Sequence, residues 1–163
     1  MGKILALTLL LGLALAQQAV PNSPFVDVPP CHWAKEAVGR ITDPAAVAKP
    51  QPTASLAVNA VQQIFEGLRC NNTEWSAKFI AGAPNVFMLG ASKLNGFELK
   101  NLQTSISGNT ARVRFQVVAN LATGIFTRSG EARLNFTAEG WKTDYATLAA
   151  LNLPVFPLSL SKP

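Results

Sequence analysis

The apolar residues of this chain change their period partway along, from between three and four before residue 82 to two after residue 97. Leu56, Val58, Ala60, Val61, Ile64, Phe65 and Leu68 form a wide stripe at helical spacing, and Thr53 or Ser55 is available to cap it. That helix should end near residues 67–71. A shorter helix is predicted from Thr73, with Glu74 in the first turn, Trp75, Phe79 and Ile80 apolar, and Gly82 and Pro84 closing it. Beyond it, residues 97–106 read as a strand and 107–109 as a turn. Ala111, Val113, Phe115, Val117 and Ala119 then alternate with Arg112, Arg114, Gln116, Val118 and Asn120. Ala132, Leu134, Phe136 and Ala138 alternate with Arg133, Asn135, Thr137 and Glu139, and Glu139-Gly140 turns the chain into a last strand over 141–145. Consecutive strands joined by tight turns make an antiparallel meander with one buried face. Helices followed by a run of strands argue an α+β fold: helices packed on a curved, cone-like antiparallel sheet, preceded by a short helical segment.

The first sixteen residues, MGKILALTLLLGLALA, carry one Lys, an apolar run and small residues at Ala14 and Ala16. This is the layout of a secretory signal peptide, and no later segment has the ~20 apolar residues of a spanning helix. The expectation is a secreted bacterial protein of the cell envelope or periplasmic space. The formal charge is +5, and loss of the leader removes one Lys. The remaining basic residues look scattered, among them Lys35, Arg40, Arg69, Lys78, Lys93, Arg112, Arg114, Arg128, Arg133 and Lys142. A mild positive field favours acidic polymers, cell-wall glycans included, while a plain solvated surface needs no partner at all. Nucleic acid is disfavoured by export and by the lack of a basic run interleaved with aromatics.

Two cysteines, Cys31 and Cys70, stand in a chain expected to meet an oxidising compartment. A disulfide closing the loop between them would stabilise the fold by roughly 4 kcal/mol in the chain-entropy model. Two buried thiols are one alternative. A metal site built on Cys31, His32 and the distant Cys70 is another, with poor ligand spacing. No metal or other cofactor is expected.

Segment by segment, 1–16 is expected to be the leader and 17–53 a short helical element with a proline-rich linker. Residues 54–148 form the α+β domain, and 149–163 an extended tail with Val155 and Phe156 as packing points. In the second segment, Phe25, Asp27, Val28 and Pro29 lead into His32, Trp33, Ala34, Ala37 and Val38. This resembles the start of the S-layer homology motif. The likeness then stops, because the chain has no Gly-Ile-Ile, no Asp-Gly-Thr-Phe and no Thr-Arg-Ala-Glu. The resemblance implies cell-wall polymer or S-layer and envelope proteins as partners. The residues the segment offers for wall polymer are Asp27, His32, Trp33, Lys35 and Arg40.

The α+β part resembles the nuclear-transport-factor-two-like (cystatin-like cone) superfamily. The cues are a long helix ending Phe-Glu-Gly-Leu, a short second helix, Gly-Asn-Thr-Ala-Arg-Val-Arg-Phe, and Gly-Trp-Lys-Thr-Asp-Tyr. That fold hosts lyases, isomerases, ligand binders and interaction modules, so the fold alone names no activity. The expected lining of the cone, Val113, Phe115, Val117, Leu134 and Phe136, is apolar and offers no acid or base. Asp144 and Tyr145 are the best remaining pair, but neighbours on a strand point to opposite faces. The expectation is therefore an exported, non-catalytic envelope protein, a binding or accessory module. The alternatives are a carrier of a small hydrophobic ligand in the cone and an isomerase- or dehydratase-like enzyme.

Overall fold

The computed structural model describes residues 51–158. Helix α1 (Ala54–Arg69) starts where Thr53 Oγ1 accepts from Leu56 N at 3.4 Å, satisfying one of the free donors of the first turn. Its apolar stripe buries Leu56, Ala57, Ala60, Val61, Ile64, Phe65 and Leu68. Arg69 closes the last turn, where a cation suits the helix dipole, and its Nε donates to Glu66 at 2.9 Å.

Asn71 takes a positive φ of 55°, and the Asn72 side chain accepts from Trp75 N at 2.9 Å to cap helix α2 (Thr73–Ala77). The two helices meet closely. Ser76 Oγ donates to Ile64 O at 2.7 Å across the junction. A Cβ on Gly67 would lie 2.3 Å from Ser76 Oγ and 2.9 Å from backbone atoms of Asn72 and Ser76. The junction thus excludes any side chain at position 67.

After α2 come strand β1 (Ile80–Ala81), helix α3 (Asn85–Gly90), β2 (Leu94–Ser107), β3 (Thr110–Leu121), β4 (Gly124–Thr137), β5 (Gly140–Asp144) and helix α4 (Tyr145–Ala149). The sheet order is β1-β5-β4-β3-β2. Strands β2 to β5 form the antiparallel meander, and β1 adds to β5 in parallel. Gly108, at φ 56°, makes the tight β2–β3 turn possible. Register shifts at Leu94/Gly96 and Lys100/Gln103 interrupt the β2 ladder.

Helices and a mostly antiparallel sheet make this an α+β fold. Several local expectations need correction. Ile80 belongs to a strand, not to the second helix: Thr143 N donates to Phe79 O at 2.7 Å and draws the chain onto the sheet edge. Tyr145 opens a helix rather than ending a strand, because Asp144 Oδ1 accepts from Ala146 N at 3.0 Å and caps α4. Ala138 is exposed in the β4–β5 turn, and Phe136 is half-buried near the same end, its ring against Trp141 at 5.2 Å. Helix α3 and strand β1 were not foreseen at all.

The core lies between α1 and one face of the sheet. Phe65 sits at its centre, with ring centroids 5.4 Å from Phe97, 6.1 Å from Phe115 and 5.4 Å from Phe156. Phe87 of α3 stacks on Phe156 at 6.1 Å. Leu151, Leu153, Val155 and Phe156 bring the segment after α4 back into this core.

Candidate functional site

The side of the sheet facing α1 is the place where a cone-shaped fold would hold a ligand or a reaction. Val113, Phe115, Val117 and Leu134 are all buried there, in one apolar cluster with Phe65 and Phe156. Buried polar side chains are few on this side among the described residues, namely Ser76 and Thr143. Ser76 is fully engaged in the α1–α2 junction. The Thr143 hydroxyl finds no hydrogen-bond partner among the described residues, and its neighbours in register are Ile80 and Leu134. One hydroxyl between two aliphatic side chains is not an acid–base pair.

Asp144 and Tyr145 are adjacent in the structure but serve different neighbours. Asp144 caps α4. The Tyr145 hydroxyl donates to Pro157 O at 2.6 Å, and burial pushes its pKa up to about 12. A phenol held protonated on a backbone carbonyl ties down the chain after α4 and is a poor general base. Among the described residues, no group of three or more His, Cys, Asp or Glu side chains is placed to hold a metal. No helix among them is long and apolar enough to cross a membrane.

Asp27, His32, Trp33, Lys35 and Arg40 lie outside the described residues, as does Cys31. Cys70 is buried at the C-cap of α1. A shallow groove of about 600 Å3 runs along the β1 edge between Ala77, Ile80 and Gly82 on one side and Thr137, Glu139 and Lys142 on the other. Its charged members pair with each other, Lys142 Nζ lying 2.8 Å from Glu139. Lys142 also donates to Lys78 O.

The opposite face of the sheet brings four charged side chains together. Arg112 on β3 stands directly across from Arg133 on β4, and Arg114 directly across from Glu131. Arg114 Nε donates to Glu131 at 3.0 Å and Arg133 Nε at 3.4 Å, while Arg112 Nε lies 4.0 Å away. The three arginine side chains are 60–65% exposed, against 22% for Glu131. The hydrogen bonds from Arg114 and Arg133, together with the nearby Arg112, hold the Glu131 carboxyl below its ordinary pKa.

This grouping was missed because the basic residues look dispersed along the chain. The usable signal was the i, i+2 pair Arg112 and Arg114. Without the β3–β4 register, nothing could bring Arg133 to the same place.

Compared with protein-family models and with curated proteins, the chain matches none.

Proposed function

We propose that this protein is an exported, non-catalytic cell-envelope protein, a binding or accessory module. In this reading an S-layer-homology-like opening element precedes a nuclear-transport-factor-two-like, cone-shaped domain. The observation that carries the non-catalytic part is the packed interior. Phe65, Phe97, Phe115 and Phe156 occupy the space between α1 and the sheet where a hollow cone would admit a ligand. The same packing weighs against the carrier and enzyme alternatives. The cone-like reading draws on α1 lying over one sheet face and on the register shifts that bend β2.

The leader and the residues Phe25 to Val38 support export and attachment to the wall. A Cys31–Cys70 disulfide belongs to the same proposal, with Cys70 sitting at the C-terminal end of α1. It would fasten the opening element beside that end of the helix. In this arrangement the opening element attaches the protein and would leave the sheet face opposite α1 for other contacts.

The test is sedimentation with purified, protein-free cell wall. The full secreted chain should co-sediment, and a chain shortened to begin at Gln51, which keeps the Thr53 cap, should stay in solution. Equal sedimentation of both would remove the opening element from the explanation. Absence of both would remove wall attachment.

A further inference from the structure

We propose that the solvent-facing side of β3 and β4 is a binding surface for an acidic polysaccharide, with Arg112, Arg114 and Arg133 as its anion contacts. The inference rests on the envelope reading above and adds a site and a ligand class to it. Its starting point is the register. Like charges directly opposite each other in an antiparallel pair are unfavourable, yet Arg112 faces Arg133. A surface needing only solubility is served by alternating signs. Here three guanidinium groups surround one carboxylate, leaving the patch with a surplus of two positive charges.

The hydrogen bonds that restrain the patch run through Nε of Arg114 and Arg133. The terminal nitrogens of these forks take no hydrogen-bond partner among the described residues. A fork braced at Nε by Glu131 has lost part of its rotamer freedom and keeps its outer donors for a carboxylate, the geometry that guanidinium groups match bidentately. Glu131 therefore acts as a brace beneath the arginines, consistent with its lower exposure.

The surroundings favour a sugar polymer over the other polyanions. In register beside the arginines stand Gln103 and Ser105, and Gln116 is the next residue along β3 on the same side, amides and hydroxyls suited to sugar hydroxyls. The nearby acidic side chains are already engaged, Glu98 with Lys100 at 3.1 Å and Asp144 with the α4 cap. No aromatic ring lies on this side of β3, where stacked bases would need a platform.

The test uses the full secreted chain and polygalacturonate as a defined uronic-acid polymer. Neutral dextran, phosphatidylglycerol vesicles and oligo-dT serve as comparators. Binding to polygalacturonate should be measurable, should fall with added salt and should exceed that to all three comparators. Arg112→Gln, Arg114→Gln and Arg133→Gln combined should weaken it by about tenfold or more, since charge-assisted hydrogen bonds are lost. Glu131→Gln, which removes the negative charge and keeps an amide oxygen to accept from an arginine Nε, should tighten it, and circular dichroism should show both variants folded. Unchanged binding in the triple variant overturns the proposal, as does stronger binding to vesicles or oligo-dT. Wall sedimentation by a parent chain that ignores polygalacturonate also overturns it, leaving the envelope reading in place.

Discussion

On the α1 side of β3, Val113, Phe115 and Val117 are buried, while on the other side Arg112 and Arg114 stand more than half exposed. The two sets share one strand, offset by a single residue, yet they obey different physics. Inner positions are decided by volume, because apolar surface is removed from water and every methylene has packed neighbours. Outer positions are decided by charge geometry across the register, in a medium that screens each pair. Alternation alone identifies the first set. The second has meaning only once the strand opposite is known.

The sharpest way to break this contrast is at the centre of the inner face. Phe115→Ala empties a site under Phe65 and should cost about 3–5 kcal/mol, read as a shift in the denaturation midpoint. A cost under about 1 kcal/mol would mean that the inner face tolerates a cavity. Gly67→Ala should follow, at about 1–3 kcal/mol, because the added methyl meets backbone atoms that cannot move aside.

Gly130→Ala is a milder case on the inner face itself. Its Cβ would meet mainly the tip of the Leu151 side chain rather than backbone, so a smaller loss than for Gly67→Ala is expected. A larger loss would show that the chain after α4 is as rigidly held as the helical corner.

On the outer face, Arg112→Ala should leave stability within about 0.5 kcal/mol of the parent, as surface changes usually do. It removes a like-charge neighbour and breaks no hydrogen bond to Glu131. The smallest effect concerns acid. The folded-state pKa of Glu131 is lowered, chiefly by the Arg114 hydrogen bond, so its contribution is complete above the ordinary carboxylate range. That contribution is lost as pH falls through the lowered folded-state value. The parent should lose slightly more stability than Glu131→Gln across that acid window, by melting temperature.

Much of the fold was legible because its strongest signals are periodic. The α1 stripe and the β3 alternation each repeat over many residues, and both lead to the buried set. Helix α3 escaped because six residues with one fully buried ring, Phe87, are too few to display a period. Strand β1 escaped for a related reason: a two-residue parallel pairing depends on β5, over sixty residues later, and leaves no local trace. Phe136 misled the reading in the other direction. Its parity is correct for the inner face, but parity says nothing about distance from the end of the sheet. The arginine patch lay beyond reach because register is a property of two strands together.

Trp141 donates its indole N–H to Thr53 O at 3.1 Å, across 88 residues. A ribosome releases Thr53 long before Trp141, so the first turn of α1 has its local cap but lacks this tertiary anchor until β5 exists. Meanwhile Leu56, Val61, Ile64 and Phe65 face water with their strand partners still unmade. Contacts of such long span close slowly and late. The interval during which this helix is sticky is therefore set by the time needed to make and deliver the last strand. A chain cut short before residue 141 would keep that stripe uncovered and should be the form most prone to aggregate.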